Sequence, residues 1–186
     1  MNPEGFVAAA AKLARRGREP ADCVTAIVPL MERLLDEGVG FLEPRHLRSN
    51  PDRYARNAIH ISDDGSLSLF ALVWLPGQWT PVHDHGSWGV VGVVRGALEE
   101  RSYMSPDGAI HGDTGIRLRR GGIVLLRPGS VTSFVPNPDH IHVTGVPSDR
   151  SMAVSLHLYG RNLDSFHVYD VERGTRRLID VPHQDN

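Results

Sequence analysis

After Pro44 the chain breaks into short β-rich runs, each bounded by Gly, Pro, Asn or Asp, and this texture limits the fold more than any other feature of the sequence. The runs cover 58–61, 67–74, 90–94, 123–126, 152–159 and 166–169. Many short strands with regular turns point to a closed or two-sheet β architecture. Asp63-Asp64-Gly65 and Pro106-Asp107-Gly108 look like hairpin turns, because Gly supplies the positive φ such turns need. Before Pro44 the pattern differs. Apolar residues recur at helical spacing over 3–16 and 21–37, as in Val24, Ile27, Val28, Met31, Leu34 and Leu35, and Gly38 and Gly40 stop the second helix. The expectation is two N-terminal helices against one β-sandwich or small barrel, with interior room for side chains and one small ligand. A length of 186 residues suits one domain, with a helical segment over 1–43 and the β-barrel over 44–186.

Composition narrows the chemistry. The 20 basic and 22 acidic residues nearly balance and neither sign forms a long block, so no nucleic-acid or membrane partner is expected. Cys23 is the only cysteine, which rules out an intrachain disulfide and a thiolate metal cluster, and its apolar helical setting marks it as a core residue. The N-terminus lacks a basic start followed by an apolar core, and no apolar run is long enough to span a bilayer, so a cytoplasmic protein is expected. Histidine stands out: five of the ten lie between His83 and His142.

In Pro81-Val82-His83-Asp84-His85, the two histidines stand two apart, and on a strand such positions project to one face. Two imidazoles cannot close a metal site, and His140 and His142, again two apart, are the candidates for a further donor. Residues 86–90 offer no carboxylate, and Glu99 and Glu100 lie beyond the next turn at Arg95-Gly96. Three neutral histidines make the most economical site. Such a set leaves the charge of a divalent metal uncompensated and several coordination positions open, which favours anionic ligands. Zinc, manganese and iron all suit these ligand types.

Four segments, in order, resemble the thiol dioxygenases of the cupin superfamily, the cysteine dioxygenase and mercaptopropionate dioxygenase group: Tyr54-Ala55-Arg56-Asn57, Pro81-Val82-His83-Asp84-His85, Ile141-His142-Val143 and Ser155-Leu156-His157-Leu158-Tyr159. The resemblance implies a mainly β cupin double-stranded β-helix, or jelly-roll barrel. It also implies one mononuclear Fe(II) on His83, His85 and His142, with dioxygen as co-substrate. Arg56 would be a planar fork for the substrate carboxylate. Ser155, His157 and Tyr159 would form a relay along one strand face that ends on the tyrosine hydroxyl.

Two departures stand out. Some family members carry a cysteine just after the first histidine pair that crosslinks to the tyrosine, whereas this chain has Trp88, Gly89 and Val90 there, so no thioether to Tyr159 can form. Arg161 follows Tyr159 closely and offers a second candidate for carboxylate binding. The implied function is oxidation of a small-molecule thiol, L-cysteine first, to the sulfinate. A mercaptopropionate-type enzyme, a cupin oxidising a thiol in a biosynthetic pathway and a non-catalytic metal-dependent binding cupin are the alternatives. Oligomeric state is not legible in the sequence.

Overall fold

The structure is a computed structural model that describes residues 2–14, 19–108, 110–136 and 140–181. Arg15 and Arg16 at the expected end of the first helix, Asp139 and His183 fall outside these ranges. The chain forms α1 (Pro3–Ala14), α2 (Pro20–Asp36) and a short 3-10 turn (Pro44–Leu47), then ten strands. These are β1 (Ala55–Ile61), β2 (Ser68–Trp74), β3 (Gly89–Arg95), β4 (Leu98–Met104), β5 (Arg119–Leu126), β6 (Val131–Phe134), β7 (Ile141–Gly145), β8 (Ala153–Tyr159), β9 (Ser165–Asp170) and β10 (Thr175–Asp180).

The fold is mainly β, with both helices at the N-terminal end, as expected. One sheet runs β1-β2-β8-β3-β6 and all its neighbours are antiparallel. The opposite layer holds β5-β4-β7 and the pair β9-β10. Between these two pieces lies the backbone around His83, which bridges to His142 of β7 on one side and to Val168 of β9 on the other. The chain thus passes repeatedly between two facing layers, which is the double-stranded β-helix arrangement.

Alternation along the central strands explains how both faces of the first sheet are buried. On β2, Leu69 and Ala71 point to the helices, and on β8 Leu156 and Leu158 do the same, where they pack with Phe6, Ile27, Met31 and Leu34. Phe70, Leu72 and Trp74 from β2, and Ala153 and Tyr159 from β8, point instead into the space between the layers. Helices and sheet therefore share a continuous apolar contact, and these near-continuous apolar runs are the ones that sequence texture identifies. The strands it passes over are β4, β6, β7 and β10, two of which read LEERSYM and TRRLID because their layer borders solvent.

Both expected turns exist, with different uses. Asp63-Asp64-Gly65 joins the antiparallel pair β1 and β2, with Gly65 at φ +66°. Pro106-Asp107-Gly108 also turns at a positive-φ glycine, but it lies in the long connection from β4 to β5 rather than closing a tight hairpin. No helix among the described residues is long and apolar enough to cross a membrane.

The crossing from one layer to the other at Arg95-Gly96 is sterically exacting. Gly96 has φ +71°, and a Cβ there would run into the Met152 carbonyl and the Ala153 backbone. Gly96→Ala is expected to lower the unfolding free energy by about 2 kcal/mol or more, from left-handed strain plus overlap. Urea denaturation of the two proteins checks this, and a change below about 0.5 kcal/mol would contradict it.

Candidate metal centre and its relay

His83 and His85 do not sit on a regular strand. Their segment is an extended loop with isolated bridges, held from both sides by backbone bonds: His83 N–H donates to the His142 carbonyl (2.9 Å), His142 N–H to the His83 carbonyl (3.0 Å), and Tyr169 N–H to the Val82 carbonyl (2.8 Å). The buried Asp84 side chain pins the loop further. It accepts the Tyr169 hydroxyl (2.7 Å) and the His167 N–H (3.2 Å). Thus the two rings converge, at 4.7 Å between centroids, through an anchored loop rather than through strand periodicity alone.

His142, on β7, completes the group. Ligand atoms of His83, His85 and His142 lie within 4.8 Å of one another, and all three side chains are buried. His83 Nδ1 is 3.0 Å from the Pro81 carbonyl, which fixes the proton there and leaves Nε2 as the lone-pair donor. Both ring nitrogens of His142 are buried with no hydrogen-bond partner, as is His85 Nδ1. An unpaired buried ring nitrogen is costly unless a ligand meets it. Burial, above all, holds His83 and His85 well below the usual histidine range and His142 down to about 3, so all three rings are neutral and able to ligate. The donor set fits one metal ion.

His140 lies beside this group without joining it. Its ring is 4.3 Å from that of His142 and stacks on Phe134, but it does not line the cavity beside the three histidines. That cavity is small, about 20 Å³, close to the space of one water. Besides the three histidines it is lined by Tyr54, Arg56, Trp74, His157 and Tyr159 among others.

The relay expected along β8 is present. Ser155 Oγ is 2.8 Å from His157 Nε2, and His157 Nδ1 is 3.0 Å from the Tyr159 hydroxyl. Trp74 joins this chain, since its indole N–H donates to Ser155 Oγ at 3.0 Å. One arrangement uses every donor in the chain: Ser155 accepts from Trp74 and gives its own proton to His157 Nε2, His157 Nδ1–H donates to Tyr159, and the Tyr159 proton is free to point into the cavity. Burial pushes His157 down to about 3 and raises Tyr159, so both stay neutral at ordinary pH. The signal for Trp74 was the period-two alternation that places it on the same face as Phe70 and Leu72.

Arg56 faces the same space from β1. It is buried, its guanidinium donates to the Val181 carbonyl (3.1 Å) and the Leu163 carbonyl, and it lies 4.8 Å from the Phe70 ring centre. No carboxylate among the described residues pairs with it. Arg161 is placed elsewhere. Its guanidinium donates to Asp164 Oδ1 (3.0 Å), Ser165 Oγ (2.9 Å) and the Asn162 carbonyl (3.0 Å), and it does not line the cavity.

Position 89 explains the missing crosslink in space as well as in sequence. Gly89 pairs with Tyr159 across β3 and β8, and a side chain there would collide with the Phe134 ring, which packs on His85 at 4.3 Å. Phe134 therefore fills the volume beside Tyr159.

One correction concerns charge. Glu100 was expected to lie away from the histidines, but β4 pairs with β7 and brings its carboxylate to 3.1 Å from His142 Nδ1.

Buried neutral histidines make the metal-free protein sensitive to acid. Their folded pKa values lie below the unfolded value of about 6.5, so the unfolded chain binds protons first. The stability is fully present above about pH 6.5 and is lost as pH falls toward about 3, the value for His142 and His157. Each such histidine contributes a slope of up to about 1.4 kcal/mol per pH unit. Urea midpoints of metal-free protein should fall steeply between pH 7.5 and pH 5, and less steeply in His157→Gln. Equal midpoints at the two pH values would contradict the buried, neutral assignment.

Comparison with known proteins agrees with this geometry. The model of the family described as cysteine dioxygenase type I matches residues 43–173. Cysteine dioxygenase type 1 from Homo sapiens and from Bos taurus are each 26% identical over 128 residues, which is 68% of this chain and 60% of each relative. The chain thus spans less than two thirds of the length of those relatives. Among solved structures, a cupin-like protein from Thermotoga maritima is similar with a TM-score of 0.43 and 16% identity, covering 75% of this chain and 88% of the other. A Cupin 2 conserved barrel domain protein from Salinispora arenicola has a TM-score of 0.42 and 17% identity, covering 63% and 83%. The family match runs from the 3-10 turn through β9 and contains His83, His85, His142, Ser155, His157 and Tyr159, and the chain belongs to the cysteine dioxygenase type I family.

Proposed function

We propose that the chain is an iron-dependent thiol dioxygenase that oxidises a small carboxylate-bearing thiol, L-cysteine first, with O2 to the sulfinate. The observation that carries this reading is Arg56, a buried cation without a carboxylate partner among the described residues, facing the same small cavity as three neutral histidines and a tyrosine hydroxyl. A buried guanidinium of this kind favours an anionic ligand, and its planar fork suits a carboxylate.

Iron(II) on His83, His85 and His142 would lower the thiol pKa and activate dioxygen. The protein's own contributions are positional. Arg56 holds the substrate carboxylate with the guanidinium protons not used by Val181 and Leu163. Tyr159 aims its hydroxyl proton into the cavity, where oxygen added to sulfur meets a donor, and the Trp74–Ser155–His157 chain keeps that proton oriented. Leu72, Phe134, Leu163 and Phe166 exclude water. Tyr54, Arg56 and Phe166 also line an adjoining chamber of about 260 Å³, so a carboxylate can rest at Arg56 from the outer side while the thiol reaches inward. In the overall reaction both atoms of O2 join the sulfur, and RSH becomes RSO2H without an external reductant.

Among the described residues no acidic side chain lines the inner cavity, whereas Asp180 lines the adjoining chamber, so the site suits a mercaptopropionate-type substrate as well as cysteine. Oxygen consumption by the Fe(II)-loaded protein with cysteine, 3-mercaptopropionate and cysteamine separates the readings. Uptake with one or both carboxylate thiols is expected, with little for cysteamine, and Arg56→Ala should raise KM by about tenfold or more for loss of a charge-assisted bond. Absence of uptake with all three thiols would overturn the assignment, and metal binding without turnover would favour the binding-protein alternative.

A further inference from the structure

The three-histidine centre carries no carboxylate ligand, yet a carboxylate stands directly behind one of its imidazoles. Glu100 lies on β4, whose register with β7 pairs Glu100 with Thr144 and Ser102 with His142. Register partners share a sheet face, so Glu100 and His142 are diagonal neighbours on the face that looks into the barrel, and Thr144 on that face lines the cavity. The Glu100 carboxylate is 3.1 Å from His142 Nδ1, with the glutamate side chain 16% exposed and the histidine 4% exposed. The contact is a close approach rather than a formed hydrogen bond, since both Nδ1 and Nε2 of this buried ring lack a hydrogen-bond partner in the metal-free protein. His140 sits against the same pair: Glu100, His140 and His142 also have donor atoms within 4.8 Å of one another.

Resting on the metal reading above, we propose that Glu100 is a positioning residue that accepts the Nδ1–H of His142 once the ring turns its Nε2 onto a metal, and that places one negative charge a single imidazole away from it. Two consequences follow from the chemistry. An imidazole whose N–H is held by a carboxylate is a more basic and better oriented ligand. The centre, formally a dication on three neutral rings, also gains partial charge compensation, which stabilises the oxidised metal relative to the reduced one. His83 already has support of this kind from the Pro81 carbonyl, 3.0 Å from its Nδ1.

The test uses full-length protein, Glu100→Leu and Glu100→Gln, with Fe(II) affinity measured by competition against a chelator and the Fe(III)/Fe(II) potential measured on loaded protein. Thermal melts of the metal-free forms report folding separately. Glu100→Leu should weaken Fe(II) binding about 10- to 100-fold. Glu100→Gln, whose side-chain carbonyl still accepts from Nδ1–H, should stay within about threefold of wild type while its potential moves upward because the charge is gone. Leucine binding as tightly as wild type, or an unchanged potential in the glutamine variant, would overturn the proposal. Two metal ions per chain, one lost with Glu100→Leu, would overturn it by making Glu100 and His140 ligands of their own ion. If Glu100→Leu does not fold, the potential of Glu100→Gln still decides. Wild-type protein that binds no Fe(II) would sink the metal reading itself, a result distinct from failure of the Glu100 variants alone.

Discussion

The reciprocal backbone pair between His83 and His142 is the interaction on which the structure turns. Each residue donates its N–H to the other's carbonyl, at 2.9 and 3.0 Å. The pair joins the His83 loop to β7, and the bridge to Val168 on the other side joins it to β9, so one short segment completes the second layer of the barrel. The same two bonds set two of the three candidate ligand rings 4.6 Å apart. Architecture and site therefore share hydrogen bonds. A change that frees the loop, such as loss of the buried Asp84 carboxylate that takes the Tyr169 hydroxyl, disturbs both together.

Strand β8 does the complementary work from the first sheet. Its odd-numbered residues, Ser155, His157 and Tyr159, face the side of the three-histidine cluster, and its even-numbered ones, Val154, Leu156 and Leu158, lie buried on the opposite face, Leu156 and Leu158 against the helices. The helices are remote from the cavity, but by sealing that face they hold the register that keeps all three polar groups inward. A shift of one residue would exchange them for valine and leucine. Trp74, fully buried and stacked on Tyr54 at 4.6 Å, extends the polar chain across to β2.

Much of this is written locally in the sequence. The period-two alternation of β8 and the apolar run of β2 specify central strands, and two histidines separated by one residue, followed by a later histidine in an apolar setting, specify convergent ligands. Less legible are features created by pairing between distant segments. The approach of Glu100 to His142 depends on β4 lying beside β7, and nothing within LEERSYM announces that neighbour. Phe134 reads as an ordinary apolar residue until the register of β3 against β6 sets it opposite Gly89. Arg161 stood beside Arg56 as a second candidate in sequence, and the two separate because Arg56 lies on an inward-facing strand position whereas Arg161 is drawn to Asp164 and Ser165. The His83 segment shows the opposite case, in which the expected convergence holds although the regular strand invoked for it is replaced by an anchored loop.

The central claim is that His83, His85 and His142 hold one iron with Arg56 aimed at the substrate carboxylate. It is tested most directly by anomalous diffraction at the iron edge from crystals loaded anaerobically with Fe(II) and cysteine or 3-mercaptopropionate. The account predicts a single iron peak bounded by the three imidazoles, thiol sulfur on its open side and the carboxylate within hydrogen-bond distance of the Arg56 guanidinium. Iron bound away from these rings, or a carboxylate turned to Arg161, would contradict it.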